Sequence, residues 1–77
     1  MIKQAKHKFV ICIQNDGADD LHVRKIYQVL PDENAAQDGY LRVIDDSGED
    51  YLYPDSFFIS VTLSPSTARV IFAAPVA

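Results

Sequence analysis

The stretch Tyr40-Leu-Arg-Val-Ile-Asp-Asp-Ser-Gly-Glu-Asp-Tyr-Leu-Tyr-Pro54 decides the fold. Tyr40–Asp45 and Glu49–Tyr53 are short runs rich in β-branched and aromatic residues, which read as strands. Asp46-Ser47-Gly48 joins them, and so short a connection with Gly at its end fits a hairpin. Gly48 is expected at positive φ, a conformation Gly adopts without a Cβ penalty. Alternation puts Tyr51 and Tyr53 on one face of the second run and Leu52 on the other. Pro54 cannot donate to a ladder, so Pro54-Asp55-Ser56 makes a tight turn.

Outward from the hairpin, Phe57–Thr62 reads as a following strand. Upstream, His22–Leu30 alternates, with Ile26, Gln28 and Leu30 on one face and Lys25, Tyr27 and Val29 on the other. Pro31–Gly39 holds at most one helical turn, with Asp32 as a cap and Gly39 as its exit. Lys8–Gln14 is a first strand, apolar on both faces, followed by the turn residues Asn15-Asp16-Gly17. Five strands result, and their connections are too short for crossover helices. The sheet is therefore expected to be antiparallel.

Leu63-Ser64-Pro65 opens the tail. Ser64 suits an N-cap, Pro65 the first helical position, and Leu63 with Ala68 a hydrophobic staple. Arg69-Val-Ile-Phe72 has strand propensity, but the capping signals favour a short helix carrying Ala68, Ile71 and Phe72 onto the sheet. The expected division is a flexible N-terminus over 1–7, one domain over 8–62 and a helical tail over 63–77.

Composition limits the class. The chain has 77 residues, 48% of them hydrophobic and 23% charged, which suits one folded domain rather than a disordered chain. A net charge of -4 opposes nonspecific attraction to a phosphate backbone. No apolar run approaches the roughly 18 residues of a membrane span. A single cysteine makes no internal disulfide, so a reducing cytoplasm is the expected compartment.

The strand order, with its acidic first loop, tight hairpin and Pro-containing turn before the last strand, resembles the Src homology 3-like barrel. The residues that carry the resemblance are Lys25-Ile-Tyr-Gln-Val-Leu30 and Gly48-Glu-Asp-Tyr-Leu-Tyr-Pro-Asp-Ser-Phe-Phe58, and it covers about residues 9–62. The segment Arg42–Pro54 is also similar to small bacterial proteins with this barrel, a likeness that implies a fold and no activity. The family binds extended Pro-rich peptides on aromatic ridges. By position, Tyr40 stands for the groove Trp, Leu52 replaces a groove aromatic, Pro54 matches the groove Pro and Phe57 replaces the groove Tyr. Asp19 and Asp20 resemble the acidic first-loop residues that pair with a ligand Arg, and Asp16 lies with them in a loop that holds no basic residue. Val10–Gln14 lacks the family's opening tyrosines and the chain has no Trp. These departures count against a Pro-rich ligand and leave the same surface open to a different one.

Other constellations are weak. Cys12, His22 and the Asp residues invite a nucleophile reading, as an accessory subunit or enzyme fragment using Cys12. Cys12 sits within Phe9-Val-Ile-Cys-Ile13, where a thiol behaves as a small buried hydrophobe. His7 and His22 lack metal-ligand spacing, and Asp45–Asp50 does not match a calcium loop. That run reads instead as a solvated hairpin tip. The three Gly residues fall in three turns and form no phosphate loop. Lys3, Lys6, His7 and Lys8 with Arg24 and Lys25 are the only basis for a nucleic-acid-binding barrel.

The expectation is an all-β, five-stranded antiparallel Src homology 3-like barrel with a short C-terminal helix. It acts as a small cytoplasmic, non-catalytic module that binds a protein or peptide carrying a basic residue. No cofactor is called for. The binding residues are Asp16, Asp19, Asp20, Tyr40, Leu52, Pro54 and Phe57, with the first loop brought near the aromatic ridge.

Overall fold

The computed structural model describes residues 8–72. The strands are β1 (Lys8–Cys12), β2 (Ile26–Leu30), β3 (Tyr40–Ile44), β4 (Asp50–Pro54) and β5 (Phe58–Val61). One helical turn, α1 (Glu33–Gln37), lies between β2 and β3; a 3-10 turn (Asp55–Phe57) links β4 to β5; α2 (Pro65–Phe72) follows β5. The expected 1–7 segment, with Lys3, Lys6 and His7, and residues 73–77 lie outside the described residues.

The five strands form one antiparallel sheet in the order β4-β3-β2-β1-β5. The β3–β4 hairpin is as the sequence reads. Gly48 has φ +87°, and Asp45 N–H donates to Glu49 O at 3.0 Å while Gly48 N–H donates to Asp45 O at 2.9 Å. Register pairs Ile44 with Asp50, Arg42 with Leu52 and Tyr40 with Pro54.

That register sorts the side chains into two faces. Val10, Cys12, Tyr27, Val29, Val43 and Phe58 point inward with Leu21 and form the core, against which Leu41, Tyr53 and Phe57 pack. Phe9, Ile11, Ile26, Gln28, Leu30, Ile44, Leu52, Ile59 and Val61 are the alternate positions of the same ladder and take the outer face. The two edge strands, β4 and β5, are joined only by the 3-10 turn. A flat sheet would hold those edges four spacings apart, ~19 Å. One 3-10 turn advances only ~6 Å. The sheet must curl, with the core on its concave side.

Four strands are shorter than expected: β3 ends at Ile44 rather than Asp45, and β5 runs over Phe58–Val61 rather than Phe57–Thr62, Phe57 belonging to the 3-10 turn. The first strand ends at Cys12 rather than Gln14, because Ile13 and Gln14 turn their N–H groups to Phe57 O, at 2.7 and 3.3 Å. The second begins at Ile26 rather than His22. Residues 22–25 form a turn closed by Lys25 N–H to His22 O at 3.2 Å, with Arg24 at φ +75° and its N–H on Cys12 O at 2.7 Å. A tertiary hydrogen bond to β1 overrides the local strand pattern there.

The caps are local and follow the sequence. Asp32 accepts from Ala35 N–H at 3.0 Å and α1 leaves through Gly39 at φ +83°. Ser64 Oγ accepts from Thr67 N–H at 3.1 Å, and Pro65 is the first residue of α2. Leu63 and Ala68 are both half-buried, as a staple requires. α2 lies over the outer face, where Phe72 stacks on Phe9.

Candidate functional site

Three features of the surface and core bear on function. The first is the hairpin tip, which is not simply solvated. Asp45 is buried: Oδ1 accepts from Ser47 N–H and Oγ–H, and Oδ2 accepts from Tyr53 O–H at 2.6 Å. Asp46 meets Lys25 Nζ through one oxygen, and His22 Nδ1 and Tyr27 O–H through the other. Tyr27 O–H in turn receives His22 N–H at 2.7 Å, and Asp46 N–H donates to Asp20 O at 2.9 Å. The tip is thus a clasp that fastens the end of the first loop to β3 and β4.

Its charges are tuned accordingly. Burial opposes ionisation of both carboxyls and is the largest single influence, yet the donors aimed at them together hold Asp45 and Asp46 below the usual carboxylate value. Burial, aided by Asp46, pushes Tyr27 up to about 12. Burial and the Asp45 carboxylate likewise raise Tyr53. The Asp45-x-Ser47 spacing of an Asx turn was the visible signal for this. The burial of Asp45 depends on Tyr53 and had no sequence signal.

The second feature is the set expected to bind. Tyr40 and Pro54 are register partners, and Leu52 follows on the same outer face. Tyr40 is 41% and Leu52 46% exposed. Phe57 stands apart, half-buried against the core. Asp16, Asp19 and Asp20 are exposed and enter no ion pair among the described residues. The loop that carries them starts against Phe57 O and ends at Asp46, the far end of the β3–β4 ladder from Tyr40. Four residues separate those ends, ~13 Å of strand. The Asp20 carboxylate acts on Tyr51 and Tyr53, on the opposite face of β4 from Leu52. The structure therefore assembles Tyr40, Leu52 and Pro54, and ties Asp20, at the end of the acidic loop, to the opposite end of the β3–β4 ladder from Tyr40.

The third feature had no counterpart in the sequence reading. Between the end of α2 and the outer face of β2 and β3 lies an open groove of about 590 Å³. Ile26, Gln28 and Ile44 make its floor, Ile71 and Phe72 one wall, and Arg24, Lys25 and the hairpin tip its rim. The alternation that sets Ile26 and Gln28 on one face, and the expected docking of Ile71 and Phe72, were the available signals.

Cys12 is fully buried, and its thiol donates to Gln14 O at 3.1 Å. Burial pushes that thiol above its ordinary value. Among the described residues no three His, Cys, Asp or Glu side chains are grouped to hold a metal ion, and no helix is long and apolar enough to cross a membrane. Comparison with family models, curated proteins and solved structures found no match to the chain.

Proposed function

We propose that the chain is a Src homology 3-like barrel serving as a non-catalytic module that binds a protein or peptide. The curl forced by joining edge strands β4 and β5 through one 3-10 turn supports the barrel. The observation that carries the function is the row of Tyr40, Leu52 and Pro54, apolar side chains held side by side on an exposed face by strand register. Small soluble domains rarely leave such a row without a partner. The carboxylates of Asp16, Asp19 and Asp20, exposed and without an ion pair among the described residues, favour a ligand with a basic residue, which they would steer toward the row. The burial and raised pKa of Cys12 favour the non-catalytic reading over one in which it is a nucleophile.

The test is a titration of isotope-labelled protein with a library of peptides pairing Arg or Lys with apolar residues, read by amide chemical shifts. Shifts gathered at residues 40–42 and 52–54, and lost in Tyr40→Ala, support the module. A library that moves no amides, or an oligonucleotide that moves Lys8, Arg24 and Lys25 instead, overturns it.

A further inference from the structure

The groove under α2 is chemically asymmetric. Its floor sets Gln28 beside the apolar Ile26 and Ile44, and one wall is apolar: Ile71 and Phe72, 44% and 37% exposed. Its rim has two cations with different commitments. Lys25 is bonded to Asp46, and Asp46 also takes His22 and Tyr27. The carboxylates of Asp45 and Asp46 are thus engaged by the clasp. Arg24 enters no ion pair or side-chain hydrogen bond among the described residues, yet it lines the groove.

Arg24 also occupies a costly place. It is the one non-Gly residue among the described ones at positive φ, +75°, at the third position of the turn closed by Lys25 N–H on His22 O. Gly is the residue that such a turn takes without strain. A long cation there projects from the start of β2, two residues from the floor residue Ile26.

We infer that this groove binds the free C-terminal carboxylate of a peptide whose last side chain is apolar. The guanidinium of Arg24 takes the carboxylate through paired N–H donors. The terminal side chain lies on Ile26 and Ile44 beneath Phe72. A C-terminal residue suits the geometry because its anion and its apolar group hang from one carbon, matching a cation set beside an apolar floor. The openness of the groove favours a peptide over an acyl chain. One side of any occupant stays in water, which a backbone satisfies by hydrogen bonding and a hydrocarbon does not. This site is separate from the Tyr40 row and does not depend on it.

The probe is the peptide acetyl-Ala-Gly-Val-Leu with a free carboxylate, compared with its C-terminal amide and with dodecanoate, each titrated against labelled protein. The carboxylate form is expected to shift amides at 24–28, 44–48 and 71–72, and to bind at least about tenfold tighter than the amide. Arg24→Gly should abolish that difference while the protein stays folded, since Gly accepts φ +75° without strain. Arg24→Lys should retain part of it, a point charge in place of a fork. Equal affinity for acid and amide, or shifts confined to residues 40–42 and 52–54, overturns the groove and leaves the peptide-binding module standing. Dodecanoate binding more tightly than the peptide with the same shifts overturns the peptide as occupant.

Discussion

Phe72 of α2 stacks on Phe9 of β1, with ring centroids 5.1 Å apart and planes inclined by 17°. Phe9 faces away from the main core and is still only 7% exposed. The helix therefore serves as a lid over the outer face of β1, and one aromatic pair marks where it is fixed. Phe72→Ala should lower stability by about 1–2 kcal/mol, less than a fully buried Phe because one side of the ring is wet. Urea unfolding measures this. An unchanged midpoint would mean that α2 does not dock.

At the hairpin, Gly48 has φ +87° and open space where a Cβ would stand. Any loss on substitution is thus backbone strain and not a clash. Gly48→Val should cost about 1–2 kcal/mol, and Gly48→Asn less, since Asn tolerates the left-handed region. Paired denaturation curves of the two variants distinguish strain from loss of a contact.

The clasp predicts how stability depends on pH. Asp45 and Asp46 titrate below their ordinary values when folded. The folded state then binds fewer protons than the unfolded chain as pH drops past the unfolded value of about 3.9. Their contribution is complete above about pH 5 and is lost as pH falls through the folded values. Tyr27 has the opposite sign: raised to about 12, it contributes fully below the ordinary value near 10 and loses that contribution as pH rises toward 12. Unfolding midpoints from pH 2 to 6 should fall steeply at the acid end, and Asp46→Asn should flatten that slope. A variant with the wild-type slope would show that the Asp46 bonds do not hold the tip.

Cys12 offers a chemical test of the core. A buried thiol with a raised pKa should react with iodoacetamide at pH 7.5 at least about tenfold more slowly than free cysteine. Its rate should rise with urea in step with unfolding. Reaction faster than free cysteine in native buffer would revive a catalytic role for the thiol.

Much of the local structure was legible in the chain itself. Ser64 and Pro65 start α2, Asp32 caps α1, and Gly48 turns the hairpin. Each rests on an interaction spanning three or four residues, which the identity of those residues is enough to specify. Alternation likewise separates the two faces of β2, Ile26, Gln28 and Leu30 from Tyr27 and Val29. The expected division of faces over Ile26–Leu30 matches Tyr27 and Val29 in the core.

What only the tertiary structure decided lies where distant segments compete for the same backbone or carboxylate. His22–Lys25 has strand composition, yet it turns because Cys12 O captures Arg24 N–H and Asp46 captures Lys25 and His22. Asp45 and Asp46 read as a wet hairpin tip, and Tyr53 and Tyr27 draw them into the fold. The placing of Asp20 at the far end of the ladder from Tyr40, and the groove between α2 and β2, depend on which segment covers which face of the sheet. Such choices are made by burial and by hydrogen bonds between residues 8 to 24 positions apart, and no run of neighbouring side chains encodes them.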